Sequence, residues 1–154
     1  MRKMFVSGLL VLLFANVALA GAKETAIEAI TEIFFKRNPT AVEKYVVEDY
    51  LQHQPGLPNG RQPFKEYLRT LFIAFPDYHG EIENIVADGD LVSFHFKWSG
   101  THKGEFLGLK PTGKKITRRT ADVLRIKSGR IVEHWGIVDQ VDMMKELGLL
   151  KSTR

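Results

Sequence analysis

Apolar side chains recur at helical spacing up to residue 75 and at a spacing of two from residue 79 onward, with Pro76 standing at the change. That switch constrains the chain more than any other feature, because an amphipathic helix and a half-buried strand bury their faces in different ways. On the helical side, Ala26, Ile27, Ile30, Ile33 and Phe34 form one stripe over residues 22 to 37, which Pro39 ends. Asn38-Pro39 reads as a cap followed by a first-turn proline, placing a short second helix over 39 to 46. After the turn-rich QPGLPNGR, the residues Phe64, Tyr67, Leu68, Leu71, Phe72 and Phe75 define a third helix. Three helices are therefore expected before any strand.

On the other side, HGEIENIVA and LVSFHFKWS flank Asp88-Gly89, and KKITRRTADVLRIK and RIVEHWGIV flank Ser128-Gly129. Both read as hairpins. Val141, Met144 and Leu147 close the chain with a short amphipathic helix that stops at Gly148. Helices followed by a run of antiparallel strands define an α+β fold. A single sheet covered by helices on one face must curl to enclose its apolar residues, and a curled, capped sheet can hold a cavity.

Between the hairpins lies GTHKGEFLGLKPTGKK, residues 100 to 115, in which Gly108, Gly113 and Lys114 carry the spacing of a phosphate-binding loop. That loop needs a hydroxyl after the lysine and then a helix. Here Lys115 follows, and then a strand, so the glycines are read as a long strand-to-strand connection needing positive φ.

The chain opens MRKMFVSGLLVLLFANVALA, the layout of a secretory leader with cleavage expected after Ala20 and a single domain over 21 to 154. The uncharged run is short for a spanning helix and diluted by Ser7, Gly8 and Asn16. A secreted or periplasmic protein without stable membrane insertion is expected. Removing Arg2 and Lys3 leaves 20 Lys+Arg against 18 Asp+Glu, so the formal charge falls from +4 to +2. The basic balance then says little about nucleic acid. The absence of cysteine excludes disulfides, a lipid-modified leader and cysteine-centred chemistry. The five histidines show no HxH, HxxxH or HExxH spacing, so no metal site is expected.

Asp122 is the most informative residue. Ile116, Arg118, Thr120, Asp122, Leu124 and Ile126 share one strand face, which the aliphatics mark as the inner one. A carboxyl buried there suits general acid or base work. The alternative is a structural ion pair with Arg118, but four residues along a strand separate their Cα atoms by about 13 Å. His134 shares a face with Val132, Gly136 and Val138. The opposite face holds Ile131, Glu133, Trp135 and Ile137, so the pattern leaves open which one is inside. His53 and His102 fall in or beside loops, either as ligand contacts or as inert histidines. Phe94, Phe96 and Trp98 are core or cavity wall. The basic segment from Lys110 to Arg130 is either a solvated hairpin or a contact for anionic lipid or polysaccharide. No aromatic residues interleave with its charges as single-stranded nucleic acid would require.

The run Tyr50-Leu51-Gln52-His53-Gln54-Pro55, FPD at 75 to 77, GTHKGEFLGLKPTGKK, and RIKSGRIVEHWGIVDQ with KELG at 145 to 148 resemble the SnoaL-like polyketide cyclases, within the nuclear transport factor 2-like superfamily. The resemblance covers nearly all of the chain after the leader. It implies a cone-shaped α+β barrel, a curved antiparallel sheet wrapped around the N-terminal helices. It also implies a mostly apolar pocket for a small hydrophobic ligand, a homodimer formed through the sheet, and ring closure by aldol condensation without metal or organic cofactor. In that family an acid/base aspartate lies two residues after the histidine that His134 matches. This chain has Gly136 there, which leaves room where the carboxylate would sit. A family histidine falls on Asp122 and a helix-1 aromatic on Phe34, while His53 and His102 match. The resemblance puts the His134 face inside, where His134 and Asp122 on neighbouring strands would pair, although a histidine merely hydrogen-bonded in the core is the competing reading. The candidates are thus Asp122, His134 and His102 for proton transfer, and His53, Phe34, Trp98, Phe94, Phe96, Arg118 and Gly136 for ligand contact. Two functions fit: an exported cyclase, lyase or isomerase acting on a carbonyl compound, or a non-catalytic carrier or sensor of hydrophobic molecules.

Overall fold

The computed structural model describes residues 21 to 138, 140 to 148 and 150; the expected leader, residues 1 to 20, lies outside them. Helix α1 (Ala22–Ile30) continues into a π-helical turn, Thr31–Phe35. The extra residue of that turn rotates Phe34 and Phe35 so that both meet Trp98, with ring centroids 5.3 and 6.3 Å away. Asn38 caps the next turn by accepting from the Thr40 N–H. Pro39–Ala41 then leads into α2 (Val42–Tyr45).

Strand β1 (Val46–Gln52) follows at once. This corrects the expectation that three helices precede any strand. Val46, Tyr50 and Gln52 are buried while Glu48, Asp49 and Leu51 are exposed. Helix α3 (Arg61–Ala74) buries Leu68, Leu71 and Phe72 and ends ahead of Pro76.

The remaining strands are β2 (His79–Asp88), β3 (Leu91–Thr101), β4 (Lys115–Lys127) and β5 (Arg130–Val138). They form one curved, unclosed five-stranded sheet in the order β1-β5-β4-β3-β2, an α+β cone. All pairings are antiparallel except β1 with β5, which run parallel. The first hairpin turns on Gly89 and Asp90, one residue later than expected, because Asp88 pairs with Leu91. Ser128 and Gly129, at φ 49° and 71°, make the second turn. Residues 102 to 114 connect β3 to β4, and β4 follows Gly113 and Lys114 where a phosphate loop would require a helix.

Helix α1 packs on β3 and β4, and α3 on β1, so the concave face of the sheet supplies most of the core. On β3, Val92, Phe94, Phe96 and Trp98 are all buried. Each fully buried side chain of this size contributes roughly 1.5–3 kcal/mol. Gly80 makes this wall possible, since a Cβ there would lie 2.2 Å from the Trp98 ring. Helix α4 (Gln140–Leu147) forms as expected but buries Met143 and Leu147 and leaves Val141 exposed, a different face from the one read off the sequence. Among the described residues no helix is long and apolar enough to cross a membrane.

Candidate active site

The concave face, α1 and α3 enclose a cavity with about 80 Å³ open to the centre of a water molecule, several times what one water needs. Phe34, Phe94, Phe96 and Trp98 wall it, with Tyr50, Tyr67 and Tyr78 contributing phenols. The charged residues lining it are Arg118, Asp122 and His134.

Strand alternation places Arg118, Thr120, Asp122 and Leu124 on the cavity side of β4. On β5 the register slips between Arg125 and Ile126, so that Ile126 pairs with Ile131 and Arg125 with Glu133. Val132 is the extra residue, and Ile131 and His134 both face inward although three positions separate them. This bulge is why neither face of β5 reads as wholly inner in the sequence.

His134 Nε2 lies 2.9 Å from Asp122 Oδ1, and the two side chains are only 11% and 17% exposed. The remaining hydrogen bonds fix where protons sit. The Gln54 backbone N–H donates to Gln52 Oε1 at 2.9 Å, which identifies the oxygen end of that amide. The same oxygen lies 2.9 Å from His134 Nδ1, so Nδ1 must carry a hydrogen and donate it. The Gln52 amide nitrogen donates to the Tyr50 hydroxyl at 3.1 Å, leaving the Tyr50 O–H free to donate. On the far side Trp98 Nε1–H, which can only donate, gives its hydrogen to Thr120 Oγ1 at 3.1 Å. Thr120 in turn donates to Asp122 Oδ2. Two lone pairs facing each other at 2.9 Å would repel, so the Asp122 Oδ1 to His134 Nε2 link holds one proton. The pair is a carboxylate with an imidazolium or a carboxylic acid with a neutral imidazole, and is neutral overall either way.

Burial pushes the Tyr50 hydroxyl well above the ordinary tyrosine value, and the Asp122 carboxyl adds to the rise. Burial likewise pushes Tyr78 up to about 12, against the lowering pull of Arg118. Both phenols therefore stay protonated donors near neutral pH.

Two sequence candidates stand elsewhere, and a third lies at the site without the space expected beside it. His102 is fully buried away from the cavity wall, stacked on Phe75 with centroids 5.2 Å apart. Its backbone and ring bind Thr112, Gly113 and Lys114, closing the 102 to 114 loop. It is not among the residues lining the cavity, and Phe75, just after α3, packs against it. His53 points to the outer face, stacked on Trp135 at 4.9 Å and 2.7 Å from Glu133 Oε1, because its neighbours Gln52 and Gln54 take the inward positions. Gly136 faces Asp122 across the strands, yet the space beside it is filled. A Cβ there would lie 2.6 Å from Gln54 Oε1, 2.9 Å from His134 Cε1 and 3.1 Å from Asp122 Oδ1. Conversely, Tyr50, Gln52, Thr120 and Tyr78 complete the site without having been singled out. No sequence pattern marks the first two, because VVEDYLQ does not alternate cleanly between apolar and polar residues.

A curved sheet holding an acid–base pair in an apolar hollow defines a nuclear transport factor 2-like cone of the polyketide cyclase class. The profile of the SnoaL-like polyketide cyclases matches residues 24–147, and the chain belongs to that family. A candidate polyketide cyclase from Acidithiobacillus ferrooxidans is 32% identical, with a TM-score of 0.74 over 84% of this chain and 96% of that one. IdmH, a candidate polyketide cyclase from Streptomyces antibioticus, is 31% identical, with a TM-score of 0.71 over 84% and 99%. AclR, a candidate hydroxylase from Streptomyces galilaeus, shares the fold at 24% identity and a TM-score of 0.77, covering 86% and 84%. No curated protein matches the chain. Family and fold support cyclase-like binding of a small molecule.

Proposed function

We propose that the protein is a cofactor-independent enzyme that moves a proton at the carbon beside a carbonyl in a small, largely apolar molecule. It would serve an intramolecular aldol closure or a related lyase or isomerase step. The observation that carries this reading is the 2.9 Å contact between Asp122 Oδ1 and His134 Nε2 inside an apolar cavity. In the ion-pair form the Asp122 carboxylate accepts the α-proton, the C–H electron pair becomes an enolate, and His134 remains protonated beside it. The Tyr50 O–H, which lines the same cavity, would donate to the enolate oxygen. When the enolate carbon attacks a second carbonyl, the proton on Asp122 passes to the new alkoxide, which balances the step.

Export as a secreted or periplasmic protein belongs to the same proposal, supported by the layout of residues 1 to 20. So does a homodimer. The test of the chemistry is deuterium wash-in: 2-octanone and methyl 3-oxooctanoate incubated with protein in D₂O and followed by mass spectrometry. Catalysed exchange at the α-carbon is expected. Return of bound ketone without deuterium beyond the buffer rate favours the carrier reading, which Gln54 filling the place beside Gly136 also supports.

A further inference from the structure

Arg118 lines the cavity, and no ion pair involving it occurs among the described residues. Nη2 donates to the Tyr78 hydroxyl at 2.7 Å, and Nη1 reaches only Met143 Sδ at 4.0 Å. The Nε–H is buried with no partner. Arg118 is half-buried, and a guanidinium drawn even partly out of water is costly unless charge and hydrogen bonds compensate it. Asp122 cannot do so, because it is committed to His134 and Thr120, and that pair is neutral overall. Among the described lining residues the cavity therefore carries one net positive charge.

The surroundings of Arg118 are donors as well. Tyr78 accepts from the guanidinium, so its own hydrogen is free. The Tyr67 hydroxyl stands against the same guanidinium. Tyr78 is held by stacking on Trp98, with centroids 5.2 Å apart and planes at 9°, so this corner is rigid. A planar fork of N–H groups flanked by two phenols matches a carboxylate. Resting on the proposal that this cavity binds the substrate, we propose that Arg118, with Tyr78 and Tyr67, is a carboxylate subsite and that the natural ligand is an apolar acid bearing a carbonyl. The four-residue step from Arg118 to Asp122 spans about 13 Å between Cα atoms. The carboxylate and the reacting carbon thus belong to opposite ends of a medium-length ligand.

The test is calorimetric titration of the full protein with octanoate, 1-octanol and acetate at neutral pH. Octanoate is expected to bind at least tenfold more tightly than octanol, which lacks the charge, and than acetate, which lacks the tail. Arg118→Gln should remove the preference for octanoate while leaving octanol affinity within about twofold, and Arg118→Lys should keep part of it. Circular dichroism melts confirm folding of both variants, and Tyr78→Phe, which removes the phenolic donor, provides a second reading if Arg118→Gln does not fold. Octanol binding as tightly as octanoate, or a preference that survives Arg118→Gln, overturns the carboxylate subsite while leaving the apolar cavity intact. Failure of octanoate and octanol alike overturns both the subsite and the small-molecule reading on which it rests.

Discussion

Gln52 and His134 face each other across the parallel β1–β5 pair, and the Gln52 amide oxygen lies 2.9 Å from His134 Nδ1. Through this contact the first strand sets the tautomer of a histidine on the last. It leaves Nε2 to share a proton with Asp122, so the acid–base pair needs three strands at once.

Asp122→Asn removes the carboxylate proposed to take up the proton and keeps its size. The α-exchange rate of methyl 3-oxooctanoate is expected to fall by about 10²–10⁴-fold, the usual contribution of a general base. The melting temperature should move little, because Thr120 and His134 retain hydrogen-bonding partners. Unchanged exchange in the variant would remove Asp122 from the chemistry.

Gly136→Asp introduces the aspartate that the resemblance led one to expect, at a position where a side chain meets its neighbours closely. Its Cβ would meet Gln54, His134 and Asp122 within 3.1 Å, and a second carboxyl would crowd the pair. A loss of about 1–3 kcal/mol in thermal or urea unfolding is expected from such overpacking. Gln54→Gly in the same chain should recover part of it. Full stability of the single variant would show that the Gln54 side chain moves aside freely.

The inward face of β4 was legible because its alternation runs uninterrupted through Ile116, Thr120, Leu124 and Ile126, and this placed Asp122 without any tertiary knowledge. Strand β1 was not. VVEDYLQ is short, carries two adjacent acids and follows a helix without a break, so its pairing with β5 is visible only when residues more than eighty positions apart are brought together. The Val132 bulge hid the inner face of β5 for a related reason, since a period of two cannot describe a strand that slips. The burial of His102 was not legible, because a histidine beside a loop looks exposed until Phe75 is known to lie against it.

His102→Phe should separate structure from chemistry. Phenylalanine can still pack on Phe75, but the Thr112 N–H loses its acceptor. Thr112 is exposed, so water can replace the lost acceptor, and stability should fall by no more than about 1 kcal/mol, the net worth of one hydrogen bond. Ketone exchange, measured in the same preparation below its melting range, should stay within about twofold of the wild type. A large fall in exchange without loss of folding would return His102 to the active site.

Asp77 gives the pH dependence a definite sign. The Thr101 hydroxyl, then the Thr101 backbone N–H at 2.6 Å, hold its carboxyl below the ordinary aspartate value of 3.8. A depressed folded-state value means that its contribution is fully present above the unfolded value and is lost as pH falls through the folded one. Asp77→Asn should therefore flatten the acid limb of a melting-temperature against pH curve below about pH 4 and leave the shape near neutrality unchanged. An identical acid limb in the variant would show that Asp77 does not take part.

The most direct test is nitrogen-15 NMR of His134 in the wild type and in Asp122→Asn at neutral pH. A protonated Nδ1, held by Gln52, is expected in both proteins, with an Nε2 resonance that shifts when the carboxyl becomes an amide. A ring protonated at Nε2 alone, or an Nε2 signal indifferent to the residue at 122, would contradict this expectation.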